Sequence, residues 1–193
     1  MLSCPVGGSW RDDRCARSAF RLGCCISAIY LDVGGGPKPF VVLAHEGEML
    51  RGSVGGPARI LARAETTNGS FTALENVIAT EQGPPEHVHV REDEMYYVFE
   101  GTIRFKADGR YFDAPAGAFM FIPRGTPHCF QNVGPGDARL LVMFAPAGME
   151  RFFEGHAALP PGPPDPETYR RVAHAAWMEV VGPPMAPGEG GGE

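Results

Sequence analysis

From Phe40 onward, short runs of β-branched and aromatic residues alternate with polar positions and are punctuated by Gly, Pro, Asn and Asp. A period of two puts successive side chains on opposite faces of a sheet, so these runs predict strands. They fall near residues 40–44, 58–64, 71–80, 86–90, 94–100, 102–106, 110–113, 118–122, 127–132 and 138–144. Asp108-Gly109 predicts a tight hairpin between two of them, and Gly101 marks another turn or bulge. After Pro146 the period changes. Met149, Phe152, Phe153 and His156 recur at helical spacing. A stiff Pro-rich linker follows at 160–164. Asp165 as N-cap with Pro166 at the first helical position then opens a second helix to about Met178. Both helices are expected to pack outside the barrel. The predicted organisation is a poorly ordered extension over 1–37, an all-β barrel over 38–148, a helical appendage over 149–182 and a disordered tail over 183–193.

Composition narrows this picture. The 26 Gly and 19 Pro among 193 residues are nearly a quarter of the chain, about twice the ordinary share. Such frequent interruption disfavours a long helical bundle. A hydrophobic content of 44% argues against a disordered polymer. Seventeen Lys and Arg against 23 Asp and Glu leave a net charge of −6, and Lys38 and Lys106 are the only lysines. No basic run exceeds Arg170-Arg171, so nucleic acid and anionic membrane surfaces are not expected partners. No apolar stretch approaches the roughly 18–20 residues that span a bilayer.

Cys4, Cys15, Cys24, Cys25 and Cys129 are odd in number and match no zinc spacing, which points to reduced thiols in a cytoplasmic protein. Arg11, Arg14, Arg17 and Arg21 before the apolar run at 22–31 resemble a targeting signal. Asp12 and Asp13 interrupt the basic region, and no small-x-small cleavage site follows.

The chemistry concentrates in the barrel. His87 and His89, two apart on a predicted strand, point the same way with roots about 6.6 Å apart. That separation lets both imidazoles reach one metal at about 2.0–2.1 Å. Straight-strand parity would send Glu94 to the opposite face, but the charged break at Arg91-Glu92-Asp93 can return it inside. The turn at 124–126 and Pro127 launch a strand carrying His128. Taken singly, each has a plainer reading: an exposed His-x-His pair, a solvated glutamate, a core histidine. Together they offer three nitrogens and one oxygen.

Gly-Pro-Pro-Glu-His87-Val-His89, then Glu94 and Gly101, resembles the first cupin motif. Gly117, Pro123, Gly125, His128 and Asn132 match the second, and the 15 residues from Thr102 to Ala116 join the two. The leading glycine of the first motif is replaced by Glu81, with Gly83 two positions later. The Pro-Pro-x-His-x-His entry and the Phe-Ile-Pro-Arg-Gly-Thr-Pro-His block are similar to quercetin-dioxygenase-like single-domain cupins. The resemblance implies a jelly-roll barrel of two packed sheets, the cupin double-stranded β-helix, with the metal at one end. Its ligands would be His87, His89, Glu94 and His128. In such relatives the glutamate is both ligand and base, so Glu94 is the catalytic candidate.

The donor set suits one divalent transition metal, Fe, Mn, Ni, Co, Cu or Zn. Strand parity counted from Glu94 puts Tyr96 and Val98 in the lumen and Met95, Tyr97 and Phe99 outside. Counted from His128, Phe130 faces in and Cys129 out. Phe119, Phe121, Val142 and Phe144 are expected to complete the walls, with Tyr96, Val98, Phe121 and Phe130 as substrate contacts. This aromatic lumen favours a small aromatic or enolisable substrate and a dioxygenase-like reaction. A non-catalytic binding cupin and a metal-dependent isomerase or cyclase are the alternatives. A homodimer is expected, because open sheet edges favour being covered.

Overall fold

Alternating burial along the strands matches the alternation of residue types. β10 (Ala138–Ala145) is buried at every second position, with Ala138, Leu140, Val142 and Phe144 inside. The computed structural model describes residues 37–44 and 46–191. In chain order the other elements are β1 (Glu48–Arg51), β2 (Gly55–Ala62), α1 (Ala64–Thr67), β3 (Thr72–Ile78), β4 (His87–His89), β5 (Asp93–Glu100), β6 (Thr102–Ala107), β7 (Arg110–Pro115), β8 (Phe119–Ile122) and β9 (His128–Asn132). After β10 come α2 (Glu150–Ala157), α3 (Pro166–Ala175) and β11 (Met178–Val180).

Two antiparallel sheets face each other, ordered β1-β2-β3-β10-β5-β8 and β11-β4-β9-β6-β7. Their inner faces meet in a core that includes Leu74, Ile78, Val98, Ile103 and Leu140. Tyr96, Phe105 and Phe130 pack there with ring centroids 4.9–5.9 Å apart. The expected all-β barrel is the observed fold. The β6–β7 hairpin turns at Asp108 and Gly109, both with positive φ, as a primed turn requires. Gly101 has φ 86°, and a Cβ there would lie 2.7 Å from the Ala138 Cβ. Only glycine suits that turn.

Asn132, the last residue of the second motif, holds a turn by side-chain hydrogen bonds. Its Nδ2 donates to the Ile78 and Gly136 carbonyls at 2.9 and 2.8 Å, and its Oδ1 accepts from Gly134 N at 2.9 Å. The side chain is fully buried. Asn132→Ala would strand those groups out of water, so it is expected to cost about 2–4 kcal/mol in urea unfolding.

Four expectations change. Residues 40–44 form no strand. The Leu43, Ala44 and Glu46 carbonyls instead accept from the Arg59 guanidinium, and the edge strand β1 forms further along. Residues 183–191, expected to trail away, lie against β6, β7 and β9. Gln131 Nε2 donates to Met185 O, Arg104 Nη1 to Glu189 O and Tyr111 Oη to the Glu189 carboxylate.

The third change concerns the helices. Asp165 caps α3 as expected, accepting from Glu167 N and Thr168 N. Yet α2 and α3 cover the barrel mouth, with Phe153 against Phe144 and Tyr169 against Phe152. β11 then pairs beside β4, with Met178 opposite His89. The fourth is Cys129. It points out of the lumen as parity expected, opposite Lys106, but it is buried there because the Met185 backbone lies beside its thiol. Burial chiefly pushes that thiol up to about 11, so Cys129 is an unreactive thiol. Cys4, Cys15, Cys24, Cys25 and the expected extension lie outside the described residues. No helix among the described residues is long and apolar enough to cross a membrane.

Glu150 ties this cap to the barrel. Its carboxylate accepts from Ala64 N at 3.1 Å, Gly148 N at 3.0 Å and the Thr72 hydroxyl. Burial alone would raise its pKa, but the Thr72 hydroxyl and these amides outweigh it and hold the group below its ordinary 4.5. A depressed carboxyl stabilises the fold above the unfolded value and loses that contribution as pH falls through the folded one. The melting temperature is therefore expected to fall below about pH 4.5, less steeply in Glu150→Gln. Thermal scans across that range check this.

Candidate metal centre

Three strands and one turn converge on a single point inside the barrel. β4 presents His87 and His89 inward, with Val88 between them facing the other way. β4 ends at His89, the chain bends through 90–92, and β5 restarts the alternation with Glu94 inside. Glu94 sits opposite Ile122 and Phe144 in register. The turn before β9 is fastened from two sides. Gly125 N donates to His89 O at 2.9 Å, while Arg124 N, Nε and Nη2 donate to the Asp93 carboxylate at 2.9–3.0 Å. Those contacts set His128 against His89 and Glu94.

One ligand atom from each of His87, His89, Glu94 and His128 lies within 4.8 Å of the others, and all four residues are buried. Two of the imidazoles are oriented by the same local device. His87 Nδ1 lies 2.8 Å from Pro85 O and His128 Nδ1 lies 2.9 Å from Thr126 O, each two residues back. A carbonyl only accepts, so each Nδ1 donates there and each Nε2 is turned toward the cluster. His128 Nε2 lies 2.7 Å from Glu94 Oε2, and His89 Nε2 lies 3.1 Å from the same oxygen. Neither His89 nitrogen makes a well-formed hydrogen bond. A buried imidazole with orphaned nitrogens beside a carboxylate and two further ring nitrogens fits a divalent transition metal.

The charge states agree with that fit. Burial, reinforced by His128 and His89, pushes His87 well below 6.5 and keeps it neutral. Burial would raise Glu94, but attraction to the His89 ring beside it and the hydrogen bond from His128 hold it well below the usual carboxylate range. Burial lowers His128, and its hydrogen bond and attraction to Glu94 override this and raise it. Tyr96 is pushed well above 10 by burial and then by Glu94, so its hydroxyl stays protonated and donates toward Glu94.

The cavity beside the cluster brings in Tyr96, Phe130, Val142 and Phe144 as the parity argument expected. Val98 is buried in the core but is not a cavity wall. Phe121 is a correction: it is 51% exposed, and Phe119 is 64% exposed. In register they face the outward Met95 and Tyr97, because Ile122 is the inward residue of β8. Strand parity was right on each strand, but the phase of β8 needed its partner.

Several walls carried no sequence signal for this site. Met149, Phe152 and Phe153 come from α2 and the residue before it, Tyr169 from α3, and Ser53 and Asn76 from the other sheet and its loop. Their helical stripe was legible, but the surface it covers was not. Glu92, read as part of a charged break, is 1% exposed; neither carboxylate oxygen makes a hydrogen bond, and Arg91 Nε lies 3.9 Å from Oε1. Burial raises its pKa.

Residues 74–144 match the family described as Cupin domain. Over 61 residues the chain is 36% identical to the polyketide synthase CurC of Streptomyces cyaneus, covering 32% of this chain and 40% of that protein. Over 55 residues it is 33% identical to an uncharacterized protein of Methanocaldococcus jannaschii, covering 28% and 44%. The chain thus spans less than half the length of these curated relatives. Among solved structures, KdgF from Halomonas sp. aligns with a TM-score of 0.49 at 20% identity, over 54% of this chain and 91% of that one. The polyketide cyclase RemF from Streptomyces resistomycificus aligns with a TM-score of 0.47 at 26% identity, over 54% and 78%. The two-sheet antiparallel barrel, the buried cluster of three histidines and a glutamate, and the match over 74–144 together make this stretch of the chain a cupin domain.

Proposed function

We propose that the chain is a metal-dependent, dioxygenase-like enzyme acting on a small aromatic or enolisable compound. The observation that carries this reading is the convergence of His87, His89, Glu94 and His128 within 4.8 Å at the end of an apolar cavity. When bound there, a divalent transition metal supplies Lewis-acid polarisation and, if redox-active, electron transfer to O2. The chain's own residues do the rest. Glu94 is the group placed to take the proton of a substrate hydroxyl. Tyr96 donates toward the Glu94 carboxylate and steadies it. Phe130, Val142, Phe144 and Phe153 exclude water around the reacting atoms.

A second, redox-neutral reading, cyclisation or isomerisation with Glu94 as base, is favoured by the 36% identity to a polyketide synthase. Oxygen uptake separates the two. Protein reconstituted with Fe, Mn, Co or Ni and given dihydroxy-aromatic substrates is expected to consume O2 and yield a product heavier by two oxygen atoms. Turnover without uptake would replace the first reading by the second.

A further inference from the structure

The cavity beside the metal cluster holds about 40 Å3, far below the ~150 Å3 void that takes up benzene. A hydroxylated ring edge fits there, but a whole ring does not. Two of its walls, Ser53 and Tyr169, are also walls of a much larger outer groove. That groove measures about 600 Å3, within the range of roughly 300–1,000 Å3 usual for small-molecule sites. Because Tyr169 and Ser53 wall both, this pair forms the partition between the two spaces.

Pro163, Pro164, Pro183 and Pro184 wall the groove with rigid rings and no backbone donors. Such walls are apolar and set before a ligand arrives. Each space is also lined by a residue outside the ligand cluster with a buried polar atom that makes no hydrogen bond: Asn76, through its Oδ1, at the inner cavity and His156, through its Nδ1, at the groove, 6% and 5% exposed. An unsatisfied buried group costs about 1–3 kcal/mol, which a ligand supplying the missing partner restores.

Resting on the metal-dependent reading above, we infer that the two spaces form one bipartite substrate site for an extended, polyhydroxylated fused-ring aromatic. Its hydroxylated edge reaches Asn76 and the His87–His89–Glu94–His128 cluster. Its apolar body lies between the prolines, and its far end hydrogen-bonds His156. Tyr169 swings aside to admit it.

The test uses cobalt-loaded full chain, freed of unbound metal, titrated with quinalizarin and with catechol. Both carry the same dihydroxy edge, and only quinalizarin has a fused-ring body with hydroxyls at its far end. Wild type is expected to bind quinalizarin at least about tenfold more tightly than catechol. Val181→Trp fills the groove from a position 54% exposed, where folding is not at stake. It is expected to abolish that preference while catechol affinity stays within about twofold. His156→Phe keeps the ring, removes the nitrogen and should weaken quinalizarin alone by about fivefold. Unchanged quinalizarin affinity in Val181→Trp and His156→Phe, at unchanged cobalt content, overturns the bipartite site. A wild-type chain that holds no cobalt overturns the metal-dependent reading instead.

Discussion

Replacing His128 with alanine is expected to take the protein from about one divalent metal per chain to nearly none, with affinity falling more than about 100-fold. The bound comes from outer contacts: losing a residue that merely orients a ligand already costs about 10–100-fold. His128 is itself a ligand candidate, and no neighbour can replace it. Its Nε2 lies 2.7 Å from Glu94 Oε2, it is 1% exposed, and its other nitrogen is committed to Thr126 O. Removing it leaves Glu94 with His89 as its one remaining imidazole contact. Elemental analysis after dialysis reads the result, with Cys129→Ser as a control in the same buried strand. A melting curve close to wild type shows that the barrel still forms. Equal metal content in wild type and His128→Ala would remove the proposed centre altogether.

The second large effect concerns Glu94. Glu94→Gln keeps an oxygen donor and nearly the same shape, but it cannot accept a proton. Turnover per bound metal is expected to drop by about a hundredfold to ten-thousandfold, the usual contribution of a positioned general base. Metal content should fall much less than in His128→Ala, because three imidazoles and an amide oxygen remain. Normalising rate to metal, measured on the same samples, separates the two roles. Full turnover per metal in Glu94→Gln would leave Glu94 a ligand only. Loss of metal equal to that in His128→Ala would leave its role as base without support.

Much of this site was legible before the fold. His87 and His89 share a face because strand parity has a period of two, and that is a property of any extended chain. Glu94 required one further step, since straight parity sends it outward. The charged residues 91–93 mark where the strand breaks and its phase resets, and the bend at 90–92 does so. Even the replaced motif glycine has a structural trace: Glu81 adopts φ 63°, the left-handed conformation that glycine adopts without strain.

Other features could not be read locally. Phe119 and Phe121 alternate as any half-buried strand would, and whether they face lumen or solvent depends on the register of β8 against β5. Residues 183–191 look like a polar, Gly-rich end. They are held by Arg104, Tyr111 and Gln131, residues 54 or more positions away.

By itself, the sequence determined the barrel class, the positions of β2 to β10 within a few residues and the four candidate ligands. The strands follow from local periodicity and turn chemistry, and the grouping of His87, His89, Glu94 and His128 from spacing together with the motif resemblance. Only the tertiary structure decided what encloses them. The stripe of Met149, Phe152, Phe153 and His156 has one amphipathic pattern whichever apolar surface it covers. That it closes the barrel mouth over the three histidines and Glu94, and leaves a groove divided from them by Ser53 and Tyr169, depends on contacts between residues far apart in the chain. Hydrophobic burial is non-directional, so a helical stripe states how much surface must be covered but never which.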